Sequence, residues 1–272
     1  MPRVEALTPH KPAGRRNRFV GLRRSVTPYA WSLGSIFGGL ALWEIISRVF
    51  VRSKLFLAAP SEVIMAFPSL ARSGELGLDI WTSAVEFVIG YTFACILGVL
   101  VGLLMASSRT SKQVLQPWVS GLYATPTVAL APLFILWFGI GILSKVVVVA
   151  ALVIFPVVIN TEAGLLTTNK QLIETVRSFG ANRRQIFFKV SLPSALPFIF
   201  AGLKLGIGRG LIGVVIAELF GSRAGLGQLI SQSAETFNMP ALFAGVAILA
   251  GAGIVLTAGF GSLERRLLPW RE

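Results

Sequence analysis

Apolar residues in this chain fall into six long blocks, at residues 30–50, 83–106, 114–138, 144–162, 195–220 and 241–263. A helix needs about 20 residues to cross roughly 30 Å of hydrocarbon, and each block is near that length. The pattern predicts an all-α polytopic membrane protein with six transmembrane helices. Pro126 and Pro132 in the third block and Pro156 in the fourth predict kinked or broken helices, whose freed carbonyls need neighbouring groups. The loop over residues 51–81 contains LAAPSEVIMAFPSL, an amphipathic run. It either lies along the outer membrane surface or packs as a connecting loop.

One polar stretch, residues 169–197, breaks the apolar pattern differently: NKQLIETVRSFGANRRQIFFKVSLPSALP. Leu172, Ile173, Val176 and Phe179 recur at helical spacing, so one face is apolar. Thr168 with Gln171, and Asn182 with Gln185, have capping-box spacing. Gly180 lies between them, where a first helix needs a left-handed residue to stop. Pro193 is expected to end a second helix and permit a new start. The reading is two short helices joined at a glycine and carrying Lys170, Arg177, Arg183, Arg184 and Lys189.

Lys and Arg placement orients the chain. With the N-terminus inside, the cytoplasmic segments hold 17 of the 25 basic residues and the outer segments 5, the latter including Lys145 and Arg223. This bias predicts cytoplasmic N- and C-termini and a cytoplasmic 163–194 loop in a multi-pass membrane protein. Residues 1–29 read as a basic, disordered cytoplasmic tail rather than a cleaved signal peptide, because the next apolar block has full span length. Residues 30–265 form the membrane domain and residues 266–272 a cytoplasmic tail.

Composition agrees. The chain of 272 residues is 54% hydrophobic and 14% charged, with a mean hydropathy of +0.75. The net charge of +13 sits at the ends of apolar blocks, which points to a lipid bilayer and not to nucleic acid. One cysteine, Cys95, excludes an intrachain disulfide; with one histidine, His10, no soft-ligand metal site is expected. No residues have the spacing of a hydrolytic site, so no catalytic residue is assigned. There is no Gly-Lys pair and hence no P-loop, so no cofactor is expected to bind this chain directly.

Charged groups within spans are costly, by at least about 2.5–3.5 kcal/mol on insertion scales, and face a cavity or a partner. Glu44, Glu86, Lys204, Arg209 and Glu218 qualify. Lys204 is placed to snorkel to the cytoplasmic surface. Arg209 and Glu218, nine apart, point to opposite sides of one helix. Arg209 either faces a water-filled path or pairs with Glu44 or Glu86. Gly90, Ala94, Gly98, Gly102 and Ala106, and then Gly202, Gly206 and Gly210, form small-residue stripes expected to pack within one subunit.

Glu174, Gly180, Leu192 and Pro193 carry, without a gap, spacing that resembles the EAA motif of ABC importer permeases, E-A-A, three residues, G, nine residues, I-x-L-P. Thr175 and Val176 stand where the family has two alanines, and Val190 where it has isoleucine. The resemblance implies the type I importer permease fold (MetI-like), with cytoplasmic coupling helices that dock on an ATP-binding subunit. The docking residues it implies are Leu172, Ile173, Glu174, Val176, Arg177, Phe179, Gly180, Ala181, Arg183, Leu192 and Pro193. Residues 126–164 and the run LPSALPFIFAGLKLGIGRGLIGVVIAELFGSRAGLGQLI resemble the nitrate/sulfonate/taurine/bicarbonate branch. One departure concerns Glu86, where many nitrate and sulfonate permeases have arginine and thiamine-precursor or riboflavin permeases often have glutamate. The resemblance implies a homodimer of permease chains, two ATP-binding subunits holding ATP and magnesium, and an extracytoplasmic binding protein. Glu86, Pro126, Trp137, Arg209 and Glu218 are the candidate path residues, for a nitrate-, sulfonate- or taurine-like anion or alternatively for a thiamine precursor, riboflavin or an aromatic solute. A passive channel and a membrane scaffold are the alternatives from other classes.

Overall fold

The structure, a computed structural model, describes residues 20–50 and 56–269, with side chains from residue 31 onward. Residues 1–19 of the expected basic tail lie outside the described residues, and helix covers the rest of it. The chain forms two units, Met1–Arg52 and Ser53–Glu272. The described residues are helical, without strands.

The first unit contains α1 (Val20–Ile45), which runs on through a wider π turn over Ile46–Phe50. Glu44 accepts a bond from Arg48 Nε at 2.5 Å, one turn away. Trp31–Phe50 is long and apolar enough to cross a membrane.

The second unit holds α2 (Pro60–Arg72), α3 (Glu75–Ser107), α4 (Arg109–Ala124), α5 (Ala131–Phe138), α6 (Ile142–Leu166), α7 (Lys170–Ser178), α8 (Arg183–Ile186), α9 (Leu192–Gly221), α10 (Leu226–Glu235) and α11 (Met239–Leu267). With Trp31–Phe50, five described helices reach span length; α4 and the Thr127–Phe138 segment, bent by 82°, make a sixth if they form one broken span. The break falls at Thr125 and Pro126 before a short 3₁₀ turn, Thr127–Leu130. Pro126 has no N–H to continue the helix, and the expectation of a broken third span holds there. At Pro156 it does not: α6 continues through it, and Asn160 Nδ2 donates to the Pro156 carbonyl at 2.8 Å.

The second unit is organised around α6, which packs along both α3 and α9. Phe87, Tyr91, Val149, Val153, Val157, Ile207 and Val214 form the shared core. Small residues make this closeness possible. A Cβ on Gly102 would lie 2.6 Å from Thr161 Cβ and 2.8 Å from the Val158 carbonyl oxygen. The glycine stripes therefore pack within the chain, as expected. Within the 51–81 segment, Pro60–Arg72 forms α2, whose Val63 is buried with Ala58 and Ala244 of α11, so this part packs while Ile64 and Met65 stay exposed.

Candidate functional site

Chemistry-bearing residues gather at the two ends of α6. At its C-terminal end, Leu166, the chain turns into the loop that sequence singled out. Asn169 caps α7, its Oδ1 accepting from the Gln171 amide at 2.8 Å. This corrects the expected Thr168 cap: Thr168 is buried, and its hydroxyl oxygen has no hydrogen-bond partner. An asparagine one residue later reaches the same amides and leaves threonine free to pack. Gly180 has φ +81° and ends α7. Its amide donates to the Arg177 carbonyl at 2.9 Å and the Ala181 amide donates to Val176 at 3.3 Å. This is a Schellman turn, whose left-handed residue favours glycine. Asn182 and Gln185 form the expected capping box, with bonds of 2.9 and 2.8 Å.

α8 does not end at Pro193. It widens into a π turn over Phe187–Ser191 and passes into α9, where Pro193 occupies the first turn. The reason is that a first-turn proline gives up an amide that needs no helical partner, and the π turn absorbs the change of register. The loop presents exposed apolar side chains: Phe179 at 87% exposure, Leu172 and Phe188. Ile173 and Val176 are half-buried, while Glu174, Arg177 and Arg183 are exposed. Ala181, Leu192 and Pro193 are half-buried. Beside the loop, Lys112 of α4 reaches Glu162 of α6 at 2.9 Å.

At the other end of α6, 25 helical residues and about 37 Å away, a buried polar cluster joins α3, α6 and α9. Lys145 Nζ donates to Glu86 Oε1 at 2.7 Å and to Ser222 Oγ at 2.6 Å, and Ser222 donates to the Ala224 carbonyl. Glu218 is fully buried; its Oε1 accepts from Ser83 Oγ at 2.6 Å and its Oε2 from the Gly227 amide at 2.5 Å. Ser83 accepts from the Leu226 amide at 2.8 Å, and Asp79 Oδ1 from the Gly225 amide at 2.7 Å. Three α3 and α9 side chains thus fix the Ala-Gly-Leu-Gly turn by its own amides. Gly225 has φ +131°, and a Cβ built on it would collide with the Glu218 carboxylate, so it admits no side chain there. Next to this cluster opens a cavity of about 760 Å³, with Glu86, Lys145, Ser222 and Arg223 on its wall.

The profile for the binding-protein-dependent transport system inner membrane component matches residues 94–269, more than half of the chain. The chain belongs to this family. The permease is 35% identical over 86% of its length to the formylaminopyrimidine transport permease ThiX of Halalkalibacterium halodurans, 92% of which is covered. It is 32% identical over 92% of its length to the taurine transport permease TauC of Escherichia coli, 91% of which is covered. Its fold is that of a chain in the inward-facing MetNI methionine ABC transporter, with a TM-score of 0.59, 21% identity, and 71% of this chain and 94% of that one covered. It is an all-α, multi-pass ABC importer permease of the inner membrane.

Within one chain the five path candidates of the permease fall at separate places. Glu86 and Glu218 share the buried cluster. Pro126 sits at the break after α4, and Trp137 is exposed on α5. Arg209 lies on the exposed face of α9, with no hydrogen bond or ion pair among the described residues. It does not pair with Glu86, which holds Lys145 instead. Lys204 forms an ion pair with Glu264 of α11. Lys145 is the residue that sequence reasoning placed wrongly. Counted as an outer-loop cation, it lies inside the first turn of α6 and is buried. The signal for it was its own place: Lys145 already lies inside the 144–162 apolar block, where a lysine needs a carboxylate partner.

Proposed function

We propose that the permease works as a homodimer with two ATP-binding subunits and imports a small anionic solute delivered by an extracytoplasmic binding protein. The observation that carries this reading is the cytoplasmic-side loop: a Schellman turn at Gly180 that presents Phe179, Leu172 and Phe188 outward, with Glu174 exposed beside them. Apolar side chains at that exposure, on a loop between spans, need a protein partner. Docking there couples the loop to the ATP-binding subunits, which hold ATP and magnesium. Glu174 then belongs to the docking face, since its side chain is exposed and not tied to the core of its own chain. The N- and C-termini lie in the cytoplasm on the same orientation, in keeping with the basic residues around the loop.

In this reading closure of the ATP-binding subunits moves α7 and α8, and the motion passes along α6 and α9 as rigid rods to rock the spans. Arg209 supports an anionic solute: an arginine on the exposed face at the middle of a span needs water or an anion in the assembled dimer. The relatives named for taurine and for formylaminopyrimidine support small organic solutes. The test is to purify the permease with its ATP-binding subunit and measure ATP hydrolysis with and without loaded binding protein. Stimulation is expected; no complex with an ATP-binding subunit would overturn the importer mechanism and favour a passive channel.

A further inference from the structure

The turn from α10 into α11 carries the one non-glycine residue with a positive φ among the described residues, Phe237 at +56°. The other positive-φ residues, Gly74, Gly139, Gly180 and Gly225, are glycines. The Phe237 amide donates to the Ala234 carbonyl at 3.2 Å, and the Asn238 amide to the Ser233 carbonyl at 2.8 Å. This is the Schellman turn seen at Gly180, with a phenylalanine in the left-handed position. A Cβ crowds the following carbonyl there, so a bulky residue persists only where its surroundings hold the backbone. They do so on both sides. Ser233 is buried, and Asn238 Oδ1 caps α11 by accepting from the Ala241 amide at 3.3 Å. Gly245 of α11 lets Ile230 of α10 approach so closely that a Cβ on it would lie 2.9 Å from the isoleucine.

The ring does not return this strain as packing, for Phe237 is 57% exposed. Its exposed neighbours Gln232, Glu235, Thr236 and Asn238 are polar, and a glutamate two residues away keeps hydrocarbon from surrounding the ring. α11 begins beside Phe237 and later pairs Glu264 with Lys204, in the half of α9 nearer the coupling loop. The turn therefore stands at the opposite end of the spans. An aromatic ring held on a fixed turn within a polar rim has the form of an interface anchor. We propose that Phe237 anchors the surface on which an extracytoplasmic binding protein docks, its ring entering an apolar pocket of that protein. The proposal rests on the importer reading and gives its outer partner a contact point.

The test follows ATP hydrolysis by the permease with its ATP-binding subunit in nanodiscs, against rising concentrations of loaded binding protein, together with Tm. In Phe237→Ala and Phe237→Gly the half-saturating concentration is expected to rise at least about tenfold, the loss typical of truncating a central aromatic anchor. Phe237→Tyr keeps the ring and should stay close to wild type. Phe237→Gly should also gain about 2–4 °C in Tm, because it relieves the left-handed strain that Phe237→Ala retains. One variant is then both more stable and a poorer partner, a combination that a packing role does not produce. An unchanged half-saturating concentration in Phe237→Ala and Phe237→Gly overturns the proposal. So does a fall in Tm in both, which assigns the ring to the fold, or a shift seen in nanodiscs but not in detergent, which assigns it to lipid. Stimulation of wild type with both variants unaffected removes this surface and leaves the importer reading; no stimulation of wild type removes the importer reading itself.

Discussion

Removing Lys145 while leaving Glu86 should be among the most damaging single changes in the permease. The pair is 2.7 Å apart, with side chains only 8% and 2% exposed. Lys145→Met deletes the ammonium, strands a buried carboxylate and takes a donor from Ser222. Breaking a buried ion pair from one side costs about 3–5 kcal/mol. A body of this size shifts by about 2–4 °C per kcal/mol, so the loss in Tm should be about 6–20 °C. Lys145→Met combined with Glu86→Leu removes both charges and should recover most of that loss, because an apolar pair of similar volume is often neutral. The internal control is Lys112→Met. Lys112 also faces a carboxylate, Glu162, but is 43% exposed, so water screens the pair and the change should cost under about 1 kcal/mol. The assay is thermal unfolding of the purified permease in nanodiscs, followed by tryptophan fluorescence, for the two single variants, the double variant and the control. A Lys145→Met variant within about 2 °C of wild type, or a double variant as unstable as the sum of its parts, would refute the argument that the pair is buried and coupled.

Two further changes test the loop and the helix packing. Gly180→Asp should reach the membrane at normal levels yet lose uptake, because it sets a carboxylate beside the exposed Phe179 at a left-handed residue with open space around it; Gly180→Asn, equally tolerant of that conformation, should keep most uptake, and identical behaviour of the two by radiolabelled transport would discard the charge argument. Gly102→Val should destabilise by about 1–3 kcal/mol or more by thermal unfolding, since its Cβ would press on Thr161 and on the Val158 backbone, whereas Gly121→Ala, with open space around it, should be neutral or stabilising.

How much of this was legible in the sequence depended on range. The spans and the Schellman turn at Gly180 rest on neighbours within a few residues, so periodicity and spacing expose them. The Asn182 capping box is equally local. Caps one residue apart compete, and Asn169 displaced Thr168 by geometry that spacing alone does not rank. Proline gave opposite outcomes at Pro126 and Pro156, because tertiary neighbours on both faces of α6 hold it continuous, while the segment at Pro126 has few. The Glu86–Lys145 pair joins residues 59 apart in sequence, and the Ser83–Glu218 bond residues 135 apart. Such contacts are set by how α3, α6 and α9 rotate against one another, which no single helix encodes.

The same rotation decides which parts of the permease can move. At the cavity end, α3 is tied to α6 by Glu86–Lys145 and to α9 by Ser83–Glu218, and Asp79 holds the turn that follows α9. Along their length the three helices interlock through glycines that leave no slack, as at Gly102 against Thr161. A close-packed, multiply tied unit responds to force as a block rather than by bending. The points that can yield lie elsewhere: the left-handed Gly180, the π turn over Phe187–Ser191, and the break at Pro126 in the third span. On the proposed docking of the 163–194 loop, movement delivered there would reach the cavity as displacement of the whole α3–α6–α9 block against the broken span and its surroundings.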